Sequence, residues 1–295
     1  MGEKNKGYII CLLCYSLWGI LPAYWNLLAG VNQLFVLCCR IVFAFCFAIV
    51  LLVVYRRLGD FLSMLRDKAA MRYLIPASIL IALNWGLYLW AVTSGYVLDC
   101  SLGYYMNPLI AFLLGVLVFR EKYSKLQLVA VGLAVTGVII SLIAFGSFPY
   151  ISIGLALSFA VYGVLKKKVK AEPVASIAVE SFLVAPFSVV LALFLLTGSV
   201  RPLNITDILL LAGGGVVTAM PLLLYAKAVN AVPFIIVGFF QYISPSLTLI
   251  YGLLTGETPS ESQLVSFVFI GLGLIVFSIA LVRTARAEAA AGALQ

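Results

Sequence analysis

Two ionisable side chains stand in the middle of long apolar runs: Arg40 within FVLCCRIVFAF and Glu180 within ASIAVESFLVA. A charge at the centre of a bilayer costs about 2.5 kcal/mol or more on insertion scales, so each must face protein or water. Such groups can bind a polar solute, pair with a partner or carry a proton. Other chemistry is poorly supplied. The chain has no His, which removes the usual general base and the commonest metal ligand. Cys11-x-x-Cys14 has a redox spacing, but it lies in an apolar run with no βαβ context. It and the cysteines at 38, 39, 46 and 100 read as small packing residues. No GxxxxGK[ST] signature is present, so ATP does not drive this chain directly. We expect no catalytic set, no metal and no cofactor.

Prolines and aromatic residues mark where a solute would sit. Pro108 and Pro245 fall mid-run, preceded by Asn107 and Ser244. A mid-helix Pro frees a carbonyl, which a membrane tolerates where it is buried in protein or lines a wet cavity. Asn84, Trp85 and Tyr88 share one run, Tyr104 and Tyr105 another, and Gln241 and Tyr242 a third. Buried amides and phenols need partners, while aromatic rings supply flat apolar walls. That lining suits an amphipathic organic solute better than a bare ion. Interfacial belts account for other Tyr and Trp, though not for Tyr105 near the centre of its run. The expected solute-contacting set is therefore Arg40, Asn84, Trp85, Tyr88, Tyr105, Asn107, Pro108, Glu180, Gln241, Tyr242 and Pro245.

The elements that must position these residues are membrane helices. The chain is 64% hydrophobic and 10% charged, with a mean hydropathy of +1.16, more apolar surface than a soluble domain can hide. Apolar runs of about 20 residues recur, the length a helix needs to cross the hydrocarbon core. They lack the alternation of barrel strands. The runs predict spans near 8–28, 33–55, 72–94, 98–119, 125–145, 149–168, 175–197, 206–229, 233–255 and 261–283. The loop near 56–71 has the composition of a short interfacial helix. Residues at the start do not read as a cleavable signal, and MGEKNK lacks the Ser or Thr of a myristoylation site.

The net charge of +8 is a topology signal rather than a nucleic-acid one. With ten spans both termini share a side. On it fall Lys4, Lys6, Arg56, Arg57, Arg66, Lys68, Arg72, Arg120, Lys122, Lys125, Lys166, Lys167, Lys168, Lys170, Arg283 and Arg286, whereas the opposite loops hold Arg201 alone. The positive-inside bias puts both termini in the cytoplasm. KKKVK at 166–170 reads as a solvated topogenic loop. Labels at Arg201 and Ser147 should be reached from outside, and at Lys168 from inside.

The two halves of the chain resemble each other. YYMNPLIAFLLG (104–115) lines up with QYISPSLTLIYG (241–252), Glu121 with Glu257, QLV at 127–129 with QLV at 263–265, LYLWAV (87–92) with LYAKAV (224–229), and YSLWG (15–19) with FAVYG (159–163). Five spans per half is odd, so the second copy enters the membrane upside down, as in the inverted repeats of secondary transporters. We place the halves at 1–145 and 146–295, the second with a short cytoplasmic tail. Arg40 and Glu180 are then counterparts. At about 1.5 Å per residue they lie roughly 10 Å apart in depth, so separate roles fit better than a direct salt bridge. Ala130 to Ala134, and Gly271 with Gly273, read as close helix packing; they set no oligomeric state.

YSLWGILPAYW (15–25), LNWGLYLWAV (83–92), SLGYYMNPL (101–109), VVTAMPLLLYAKA (216–228) and QYISPSLTLI (241–250) closely resemble the RarD branch of the EamA-type drug/metabolite transporter superfamily, over residues 7–280. The resemblance implies an all-α integral membrane protein of ten transmembrane helices as two inverted five-helix EamA repeats. It also implies cytoplasmic termini and a bacterial inner-membrane location. Members are thought to move amino acids, metabolites or drugs, often outward. Arg40, Glu180, Asn107 and Pro108 match family positions. Cys39 stands where the family commonly has His, and Asp99 where it commonly has Glu. Without that His, Glu180 and Asp99 are the candidate proton carriers.

The expectation is a secondary transporter for a small amphipathic metabolite, amino-acid-like solute or drug, with lipid around it and protons as a coupling ion. A membrane enzyme lacks a convergent catalytic set. A non-transporting scaffold would not need mid-span Arg, Glu and paired broken helices.

Overall fold

The computed structural model describes residues 3–146, 148–169, 171–254 and 260–292. Ser147, Lys170 and Glu257, named above, lie outside the described residues. In chain order the helices are α1 Glu3–Asn26, α2 Gln33–Val54, α3 Leu58–Arg66, α4 Lys68–Thr93, α5 Val97–Phe119, α6 Lys125–Phe145, α7 Tyr150–Val169, α8 Pro173–Leu196, α9 Ile205–Ala231, α10 Phe234–Phe240, α11 Ile243–Leu254 and α12 Glu261–Gly292. Among the described residues ten stretches are long and apolar enough to cross a bilayer, with α10 and α11 together forming one. The remaining helix, α3, fills the basic loop as expected. Its Phe61 and Met64 are buried on one face, and α3 packs against α8.

Local sequence chemistry sets where the spans begin. Ser124 and Gln127 form a capping box at α6, and the repeat-related Ser260 and Gln263 exchange the same pair of bonds at α12. Asn204 and Asp207 do so at α9. Asn32 accepts from the amides of Leu34 and Phe35 at the start of α2. Side chains such as Phe187, Ile143 and Phe194, at 76%, 74% and 70% exposed, have lipid as their natural solvent.

The packing has the symmetry of the repeat. The second spans of the two halves, α2 and α8, pack on each other, as do the fifth, α6 and α12. The fourth spans also meet, through α5 and α10, and the other major contacts between spans of different halves come in mirrored pairs. The pair α4 and α7 is matched by α9 and α1, α5 and α7 by α11 and α1, and α2 and α9 by α8 and α4. The chain is thus an all-α membrane fold of ten spans in two inverted five-helix repeats. Ala130 and Ala134 are fully buried where α6 meets α12. A Cβ on Gly273 would lie 2.9 Å from the Ala130 carbonyl, whereas one on Gly271 would meet nothing within 4 Å. Only Gly273 of that pair serves packing.

The matched prolines behave differently. The fourth span continues through Pro108, but the ninth breaks at Gln241 and Tyr242, before Pro245. There the backbone tightens: Gln241 N bonds Gly238 O at 3.1 Å, Tyr242 N bonds Phe239 O at 3.2 Å and Ser244 N bonds Gln241 O at 3.2 Å. Gly238 lets the first piece approach α5, since a Cβ there would lie 2.7 Å from that of Ala111.

Candidate functional site

Arg40 projects from α2 into the junction between the halves. Its Nε donates to Thr218 Oγ1 of α9 at 3.1 Å. Its guanidinium carbon lies 4.1 Å from the centroid of Trp25 in α1 and 5.3 Å from that of Trp85 in α4. Aromatic faces are favourable seats for a guanidinium removed from bulk water. The α9 stretch Gly213 to Gly215 makes room for this stack. A Cβ on Gly214 would lie 3.3 Å from Trp25 and 3.7 Å from Arg40 Cγ, and one on Gly215 only 2.4 Å from Phe43. Tyr88 of α4 and Tyr104 of α5 stand within electrostatic reach of Arg40, their rings 5.8 Å apart. Tyr88 is 37% and Tyr104 44% exposed.

Glu180 occupies the mirror position on α8 and a different setting. It is 5% exposed and forms a salt bridge with Lys166 of α7, itself 2% exposed. Tyr162 Oη donates to Glu180 Oε2 at 3.1 Å, and Ser176 Oγ to Oε1 at 3.1 Å. Ser176 in turn accepts from Lys166. One side of Glu180 borders a narrow cleft shared with Ile41, Ile81 and Trp85. Arg40 and Glu180 make no ion pair with each other, as their depths require. Each instead takes a partner from the first helix of its own half, Trp25 of α1 and Lys166 of α7. Lys166 is therefore no part of a solvated loop. It is the counter-ion of Glu180, because α7 runs on to Val169 and places it against α8.

The other expected residues are held in helix junctions. Asn84 Nδ2 donates to Leu155 O and Ser158 Oγ of α7, both at 2.9 Å. Asn107 Nδ2 donates to Ala156 O at 2.8 Å, while its Oδ1 is buried without a partner. Pro108 and Gln241 are buried, and Pro245 is half-buried. Tyr105 is 4% exposed with its ring against Phe267 of α12. The fully buried Tyr242 donates to the Tyr105 carbonyl at 3.0 Å. Asp99 is 6% exposed at the start of α5, and Ser152 Oγ donates to its carbonyl at 2.8 Å. Of the expected set, the structure gathers Arg40, Trp85 and Tyr88 on one wall, with Glu180 on the neighbouring cleft.

This repeat-built arrangement has known relatives. The EamA-like transporter profile matches residues 5–143 and again 149–279. The chain belongs to the EamA-like transporter family. It is 39% identical to the uncharacterized transporter YojE of Bacillus subtilis (strain 168), covering 97% of this chain and 98% of that one. It is 33% identical to protein RarD of Escherichia coli (strain K12), covering 96% and 97%. A solved crystal structure superposes with a TM-score of 0.70 over 92% of this chain and 97% of the other, at 17% identity, a likeness of fold. The chain is thus a multi-pass membrane protein of a RarD-type transporter lineage.

Two latches join the parts of this EamA chain at opposite faces. On the basic face Arg120, with a left-handed φ of 53°, turns the chain so that Glu121 meets the start of α10. Glu121 accepts from Phe234 N at 2.7 Å and Ile235 N at 2.9 Å. Lys167 lies 3.4 Å from Glu121 and donates to the carbonyls of Val229 and Val232 at the end of α9. On the other face Arg201 pairs bidentately with Asp207 at 2.8 and 2.9 Å and reaches Gly30 O at 3.0 Å. Sequence reading missed Lys166, Lys167, Trp25 and Thr218 as partners. The spacing did hold one signal: Tyr162 with Lys166 and Ser176 with Glu180 are i, i+4 pairs, each on one helix face.

Proposed function

We propose that this chain is a secondary transporter of the bacterial inner membrane that exports a small amphipathic metabolite, amino-acid-like solute or drug by alternating access. The observation that carries the reading is Arg40. It has no ion pair among the described residues and stands at the seam where α2 of one half meets α9 of the other, and we read the open surface of Tyr88 and Tyr104 beside it as the wall of an internal cavity. In inverted-repeat carriers that seam is where solute binds, and rocking of the halves exposes it to each side in turn. The halves divide at 145 and 146, and the basic face with both termini is cytoplasmic.

Arg40, Trp85 and Tyr88 contact the solute, and Glu180 borders the route with its charge balanced by Lys166. Asn84, Tyr105, Asn107, Pro108, Gln241, Tyr242 and Pro245 form the junction against which the solute-binding wall is braced. Glu180 and Asp99 are the carboxylates available to couple flux to protons. No catalytic role is assigned.

The test is uptake and efflux in proteoliposomes, across amino acids and amphipathic drugs, with and without an imposed proton gradient. Saturable flux that is lost in Arg40→Ala and Glu180→Gln at equal folded protein supports the reading. Normal flux in both variants removes Arg40 and Glu180 from the route, and no saturable flux of any solute by folded protein overturns the carrier.

A further inference from the structure

The same chain holds two arginines with opposite habits. Arg201 is largely satisfied, with four of its five donors in use: Nε goes to Gly30 O, one Nη to Pro202 O and Asp207, the other to Asp207. Arg40 uses Nε alone. Among the described residues neither of its Nη groups makes a hydrogen bond or ion pair. Nor are they sealed off, because the buried side-chain atoms left without partners there are Tyr15 Oη and Asn107 Oδ1. A guanidinium carries five N–H donors in a rigid fork. Here Thr218 fixes the stem and Trp25 and Trp85 lie against the guanidinium, so among the described residues the four donors of the Nη edge are left unused. That edge matches a carboxylate, which accepts two parallel bonds.

We propose that the Nη edge of Arg40 receives the carboxylate of an aromatic or flat apolar monocarboxylate, whose ring lies among Trp85, Tyr88 and Tyr104. The proposal rests on the carrier reading above and names its substrate class. A monoanion fits better than a phosphate. The cation stacked on Trp25 and Trp85 is Arg40, and Arg40 is also the cation that acts on Tyr88 and Tyr104. One positive charge balances one negative charge, and a dianion would keep an uncompensated charge between aromatic rings. A small inorganic anion would leave those rings without a partner.

The experiment is calorimetric binding to the purified full-length protein with N-acetylphenylalanine, its neutral amide, acetate and phenyl phosphate as probes. The acid should bind about tenfold or more tighter than the amide, the increment expected of a charged hydrogen-bonded pair. Acetate and phenyl phosphate should both be weaker than the acid. In Arg40→Gln the preference for acid over amide should vanish while the amide binds as before, and Arg40→Lys, a point charge without the fork, should keep part of it. Thermal melts establish that each variant is folded. Equal binding of acid and amide, a preference that survives Arg40→Gln, tighter phenyl phosphate, or no binding of the acid overturns the proposal. Flux separates it from the reading beneath. Arg40-dependent binding without flux in either direction sinks the carrier and keeps the site, whereas flux of other solutes that ignores Arg40→Gln keeps the carrier and sinks the site.

Discussion

Glu180→Gln removes the anion that balances Lys166 in a setting where both side chains are almost fully enclosed, at 5% and 2% exposure. The amide keeps a single oxygen, so it can accept from Ser176 or from Tyr162 but not from both, because those two donors use different carboxylate oxygens. The ammonium is also left charged with no counter-ion among the described residues. Breaking one side of a buried pair costs about 3–5 kcal/mol, because the desolvation of the remaining charge is no longer offset. At 1.4 kcal/mol per tenfold, that is a shift of about two to three and a half powers of ten in the unfolding equilibrium. Removing both charges in Lys166→Met with Glu180→Gln abolishes the orphan and should recover most of the loss. The assay is a double-mutant cycle on unfolding in detergent, followed by far-UV circular dichroism. Single variants as stable as the parent, or a double variant no better than either single, would refute the reasoning that Lys166 and Glu180 act as one unit.

Gly215→Ala should lower folded yield, since its Cβ would lie 2.4 Å from Phe43 and overpacking typically costs about 1–3 kcal/mol. Gly271→Ala, which meets nothing within 4 Å, should express and melt as the parent does. Glu121→Gln should weaken the cap on α10 and raise hydrogen exchange at the amides of Phe234 and Ile235 by about tenfold, as expected for loss of a charged hydrogen bond; unchanged protection would detach Glu121 from that role. In a background without native cysteines, a thiol at Arg201 should react from outside and one at Lys168 from inside, and the reverse pattern would overturn the orientation.

Much of the fold was legible because lipid imposes a simple rule. Every span must be long, apolar and helical, so run length gave ten spans, and the basic, amphipathic stretch gave α3. The repeat was legible from matched Pro, Gly, Tyr and Gln, and it returned as matched helix contacts and as twin capping boxes at Ser124 and Ser260. Arg40 stood out because an arginine in an apolar run has few innocent explanations. Its company did not: Trp25 and Thr218 look like ordinary span residues, and only the crossing of α1, α2 and α9 brings them together. Lys166 was hidden for a related reason. A lysine in a basic run at a helix end reads as solvated, and nothing local reveals that α8 covers it. Asn84 and Asn107 show the converse. Buried amides advertise a need for partners, and the backbone of α7 supplies them as readily as a solute would. The unequal prolines show that Pro permits a break while surrounding contacts decide whether one forms.

The most direct test of the central claim is thiol labelling of Tyr104→Cys in a background without native cysteines, using a membrane-impermeant reagent on right-side-out and inverted vesicles. The proposed Arg40 cavity has Tyr104 on its wall, so alternating access requires that the reagent reach it from each face in turn, and a transported solute should slow both reactions. Labelling from one face only would contradict alternation around this cavity, and labelling from neither would place Tyr104 against lipid instead.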